Sequence, residues 1–139
     1  MNSLIKNNYL LIIIVSIGLL VISSSNVFAQ NGAPKLAPEQ FKKEANKKKK
    51  NIILDIRTPE EVAEGHIEGA DFINFLDESF EEELAKLDKK KTYYVYCRSA
   101  KRTIPATEKM KEMGFKKVYM LEGGLNNWME SGMKLVKPE

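Results

Sequence analysis

The sequence holds one cysteine and one histidine in 139 residues. A single thiol excludes an internal disulfide, a Cys-x-x-Cys redox pair and a two-cysteine zinc knuckle. A single imidazole excludes the usual multi-histidine zinc centre. Excess charge is also scarce: the formal net charge is +3, too small by itself to signal a nucleic-acid partner. The length allows one domain and not two, and no internal repeat is found. Any chemistry must therefore rest on one thiol, hydroxyls, carboxylates and basic groups. No metal and no other cofactor is expected.

Residues 1–29 differ in kind from the rest. Lys6 is their only charge, and Leu10 to Ile22 is a run of thirteen residues without one. A polar Ser-Ser-Ser-Asn follows, then Val27-Phe28-Ala29 before Gln30. This is the order of a secretory signal peptide, with compact side chains at the −3 and −1 positions of a cut after Ala29. A spanning helix needs roughly 20 apolar residues, so cleavage is expected over a retained membrane anchor. The expected location is periplasmic or secreted. The chain from Gln30 onward has 110 residues and a net charge of +2, enough for one core. Export places it in an oxidising compartment.

The remaining chain reads as a linker over 30–35 and a domain over 36–136. A first helix is predicted from Pro38 to about Asn46. The run Ile52–Ile56 has strand length and no alternation, which signals burial on both faces. Thr58-Pro59-Glu60-Glu61 is a helix start, with Thr as N-cap, Pro at the first position and Glu61 completing a capping box. A short strand fits Asp71–Asn74, and an amphipathic helix fits 77–87. Thr92–Tyr96 is aromatic and β-branched, a strand. A helix over Thr103–Met113, a strand over Val118–Leu121 and a short helix bearing Leu125 and Trp128 complete the pattern. Gly123-Gly124 suits a tight strand-to-helix turn. Strict alternation predicts an α/β domain with a mostly parallel sheet flanked by helices. Lysine runs precede strands. Glu44, Asp88 and the acids of 77–83 are expected to break up any basic patch, so no nucleic-acid partner is expected.

The informative segment is Tyr96-Cys97-Arg98-Ser99-Ala100-Lys101-Arg102-Thr103. A strand ends, a compact loop follows, and a helix begins. Open α/β sheets bind ligands at the carboxyl ends of their strands. Turn amides and a helix N-terminus favour an anion there. The first residue of this loop is the only thiol, and Arg98, Lys101 and Arg102 are cationic. Each of these features stabilises a thiolate.

Three segments together resemble the rhodanese-like domain family. Residues 52–75 look like its N-terminal signature, residues 97–102 its active-site loop and residues 114–133 its C-terminal signature. The resemblance implies a sulfurtransferase with Cys97 as nucleophile and carrier of a persulfide. Backbone amides from Arg98 through Arg102, including Ser99, Ala100 and Lys101, would cradle the outer sulfur. The Arg102 side chain would orient donor and acceptor. The basic loop favours a small anionic donor such as thiosulfate, with a thiol or cyanide as acceptor. A monomer with no stable membrane anchor after cleavage is expected. The competing reading is a persulfide-binding or partner-docking module with little turnover.

One position departs from the family. Gly is common where Ala100 stands, and a positive φ there would cost Ala about 1 kcal/mol. Asp55 and Arg57 match an Asp-x-Arg element. Arg57 is either a substrate contact or half of a salt bridge that fixes the loop. Glu61 and His66 read as supporting residues, through helix capping and a backbone hydrogen bond respectively.

Overall fold

A computed structural model describes residues 32–138. The expected signal segment 1–29 lies outside them. Five strands form one all-parallel sheet: β1 (Lys35–Leu36), β2 (Asn51–Asp55), β3 (Ala70–Phe72), β4 (Thr92–Tyr96) and β5 (Lys117–Leu121). Their spatial order is β1-β5-β4-β2-β3. Five helices connect and cover them: α1 (Pro38–Ala45), α2 (Pro59–Ala63), α3 (Phe80–Ala85), α4 (Thr103–Glu112) and α5 (Gly124–Glu130).

The period-two alternation of side chains sorts the strand residues onto two faces. Leu54, Tyr93, Val95, Val118 and Met120 pack with Phe80 and Leu84 of α3 and Ala106 and Met110 of α4. Ile53, Tyr94, Tyr96 and Leu121 pack on the other side with Phe41 of α1 and Leu125 and Trp128 of α5. Both faces are thus covered, which is why the central strands read as continuous apolar runs. Cys97 follows β4 and belongs to the α3–α4 core.

Two expectations are corrected. The expected linker is part of the fold from Gly32 onward. The Gly32 amide donates to Glu108 Oε1 at 3.0 Å and the Ala33 amide to Thr107 Oγ1 at 2.9 Å. Lys35–Leu36 then pairs with Met120–Leu121 as an edge strand. These contacts are to residues more than seventy positions away, so nothing local announces them. The helix expected over 77–87 starts only at Phe80. Asp77 Oδ1 accepts from the Ser79 amide and hydroxyl at 2.9 and 2.7 Å, a local turn that competes with helix. Within that segment, two acids have ion-pair partners. Glu81 pairs with Lys109 of α4 and Glu83 with Lys86.

Candidate active site

The site is built at the carboxyl end of β4. Tyr96 is fixed below it, its hydroxyl accepting from the Ile67 amide at 3.0 Å. Cys97 is 1% exposed. The loop then turns through 98–102 into α4. None of the amides from Arg98 through Arg102 donates to another backbone group among the described residues. Donors left without acceptors at a turn before a helix converge on one point and suit an anion.

The loop keeps this shape because its carbonyls are held from behind. The first-turn amides of α5 have no partner inside their own helix. Leu125 N donates to Cys97 O and Asn126 N to Arg98 O, both at 3.0 Å. Gly124, at φ +62°, makes the approach possible: a Cβ there would stand 2.5 Å from Cys97 O and 2.6 Å from Arg98 O. The double glycine signals a tight turn in the sequence. It does not signal that the following helix clasps the loop.

Ala100 has φ 68°, the only non-glycine residue with positive φ among the described residues. The conformation that favours glycine is therefore the one this alanine adopts, at a cost of about 1 kcal/mol. Its methyl is buried beside Cys97 in the core. Ser99 and Lys101 are exposed. Thr103, the first residue of α4, is fully buried with its hydroxyl unpartnered.

Two of the three loop cations are already engaged by carboxylates of α2. Arg102 forms a two-pronged pair with Glu61, at 2.6 and 2.7 Å. Arg98 Nε donates to Glu61 Oε1 at 3.1 Å and its Nη2 to Glu64 Oε2 at 3.0 Å. Glu61 can reach both because the capping box fixes it at the third helical position. Its Oε2 accepts from the Thr58 amide at 3.2 Å, and its own amide donates to Thr58 Oγ1 at 3.4 Å. The Arg102 hydrogen bonds, with the Thr58 amide and Arg98 behind them, outweigh burial and hold the Glu61 carboxyl down at about 2. Arg102 is correspondingly raised, first by Glu61 and, after the opposing effect of burial, also by the Cys97 sulfur beside it. Lys101 has no ion-pair partner among the described residues. The capping role of Glu61 is legible in the sequence. Its clamp on the loop is not, because the two segments lie about forty positions apart. Glu64, one helical turn on, also escapes the sequence reading.

Arg57 and Asp55 form the buried counterpart of this clamp. Their side chains are 2% and 0% exposed, and Arg57 Nη2 lies 2.6 Å from Asp55 Oδ2. Arg57 also donates to Glu61 O at 3.0 Å and Gly65 O at 2.8 Å. Its donors thus tie the end of β2 to α2, the geometry of a salt bridge that fixes the scaffold. His66 Nδ1 bonds Ile67 O at 3.0 Å. Its ring packs edge-on against Phe72 at 4.9 Å, and its backbone bridges Val136.

Comparison with known proteins agrees with this architecture. A sulfurtransferase of Allochromatium vinosum is 31% identical over 88 residues, spanning 63% of this chain and 80% of the relative. The Bacillus subtilis protein YtwF is 41% identical over 76 residues, 55% of this chain and 71% of that one. A rhodanese-related protein from Thermoplasma volcanium superposes with a TM-score of 0.67 at 25% identity, covering 76% of this chain and 99% of its own. A rhodanese-like domain protein from Staphylococcus aureus gives 0.65 at 25% identity, with the same coverage. A family model described as the rhodanese-like domain matches residues 37–131. With a single parallel-sheet domain and a thiol loop at the end of its central strand, the chain belongs to the rhodanese-like domain family.

Proposed function

We propose that this protein is a sulfurtransferase working through a Cys97 persulfide. The observation that carries the reading is the loop itself. The sole thiol sits inside a turn whose five following amides have no backbone acceptor among the described residues. In the first half-reaction the Cys97 thiolate attacks the outer sulfur of a donor such as thiosulfate. The donor's S–S bond breaks and sulfite leaves with the electron pair. The outer sulfur of the resulting persulfide carries negative charge into the amide cradle. In the second, cyanide or a thiolate attacks that outer sulfur and Cys97 departs as thiolate. The cycle needs no metal and no second cysteine.

The ion pairs refine the donor preference. With Arg98 and Arg102 engaged by Glu61 and Glu64, the amides and Lys101 hold the donor more than the raw loop charge suggests. A small dianion remains the best fit. Sulfurtransferase naming among the relatives supports sulfur transfer in general. Export, the expectation drawn from residues 1–29, would set this activity outside the cytosol.

The test follows sulfur directly. Thiosulfate treatment of the protein should add one sulfur to Cys97, seen by mass spectrometry. Subsequent cyanide should release it as thiocyanate. Faster turnover with mercaptopyruvate than with thiosulfate overturns the dianion preference, and absence of the sulfur adduct overturns the mechanism. One observation favours a second reading, a persulfide carrier with slow turnover: the strained Ala100 in the cradle. Ready loading of Cys97 with negligible steady-state thiocyanate would establish it.

A further inference from the structure

β2, β4 and β5 are each preceded by lysines: Lys47 to Lys50, Lys89 to Lys91, and Lys116, with Lys117 opening β5. The three strands are neighbours, and their first residues are level. Asn51 pairs with Thr92, and Thr92 with Lys117. The parallel topology therefore gathers nine lysines from three separate loops at one end of the sheet. Eight are exposed and Lys91 is half-buried. A depression of about 300 Å³ opens among them. Acids at this end include Glu44, Asp88, Glu112 and Glu68, which precedes β3 level with Asn51. Glu44 pairs with Lys47 at 3.5 Å, and Glu112 faces Lys109. No other of the nine has an ion-pair partner among the described residues. The rest of residues 30–139 holds fifteen acids and twelve basic residues, so positive charge is concentrated at this end despite the small net charge.

We propose that this lysine end docks on the surface of a bilayer rich in anionic phospholipid. All nine cations are lysines, compact charges on flexible stems that suit a diffuse layer of lipid phosphates. Nucleic-acid surfaces add arginine forks and exposed aromatic platforms. Here Tyr94 and Tyr119 stack on each other at 5.4 Å, and Tyr94 is 5% exposed. Level strand starts give a flat front to the charges. The five-residue path from Thr92 to Cys97 at about 3.3 Å per residue sets the thiol loop about 17 Å from the docked end, facing away from the lipid. Docking and sulfur transfer are thus separate properties of opposite ends.

The experiment uses residues 30–139, which contain every described strand and both cores. Vesicles of phosphatidylcholine, alone or with 30% phosphatidylglycerol, are sedimented with the protein at low salt. Binding is expected only to the anionic vesicles and should fall steeply toward 0.5 M salt. The Lys48→Gln, Lys90→Gln, Lys117→Gln triple variant should bind about a hundredfold more weakly. The corresponding Lys→Arg triple should bind as wild type, which separates lost charge from lost fold. A control triple, Lys35→Gln, Lys101→Gln, Lys137→Gln, should stay within about threefold of wild type, since those lysines lie toward the other end of the sheet. Equal loss in both Gln triples, no binding to anionic vesicles, or tighter binding to a 20-nucleotide single strand than to them overturns the proposal.

Discussion

The two ends of the sheet carry the same sign of charge and treat it in opposite ways. At the carboxyl end, Arg98 and Arg102 are locked by Glu61 and Glu64. The loop carbonyls are held by α5 amides, and the thiol is buried. At the amino end eight of nine lysines stand in solvent, and one of the nine has a carboxylate partner among the described residues. The difference teaches that a count of cations does not identify a reactive site. Fixation does: catalysis needs donors that already point where charge will develop, whereas a diffuse partner needs only a field.

The sharpest way to break this contrast is to remove the group that the fixed end serves. Cys97→Ser should abolish persulfide formation and lower thiocyanate production by more than about a thousandfold, with an unchanged fold by circular dichroism. Activity surviving in that variant would remove the reason for the scaffold. Next in size is the clasp. Gly124→Ala forces a methyl against two loop carbonyls at a left-handed residue. A loss of about 3 kcal/mol in denaturant unfolding is expected, together with slower alkylation of Cys97 as the loop deforms.

Glu61→Gln should make the fixed end more like the solvated one by releasing both arginines. The Glu61 carboxyl is held at about 2, below its ordinary 4.5. A depressed carboxyl stabilises the fold above its unfolded value, and that contribution disappears as pH falls through the folded value. The variant should therefore be less stable at pH 7 by about 1–2 kcal/mol, allowing for partial exposure of the pair. The gap between variant and wild type should narrow below pH 4.5 and close near pH 2. A constant gap across that range would mean that Glu61 acts through capping alone. The smallest effect belongs to Ala100→Gly. Relief of strain exceeds the added unfolded-state entropy by about 0.5 kcal/mol, which should raise the melting midpoint slightly. A fall in midpoint would show that the methyl's packing outweighs its strained φ.

Much of this was legible along the chain. Both capping partners at Thr58 and Glu61, the strand at Thr92–Tyr96 and the thiol loop are local patterns, and the structure has each in place. The left-handed alternative considered for Ala100 is the one adopted. What escaped is long-range. Gly32 and Ala33 read as linker because their partners lie on α4. Glu61 read as a cap because a capping box explains it fully on its own, yet the same carboxylate reaches the loop. The lysine end looked like scattered solvated turns, and only strand order and register bring those turns side by side.

The grip of α5 on the loop also has a meaning in time. A chain that emerges amino end first presents Cys97 well before Leu125 and Asn126 exist in folded form. Until the last helix arrives, the carbonyls of Cys97 and Arg98 lack the amides that turn them away, and the cradle is incomplete. The cradle around the thiol is thus completed only when the last helix docks. A chain truncated before α5 would carry the thiol without the clasp that shapes its loop.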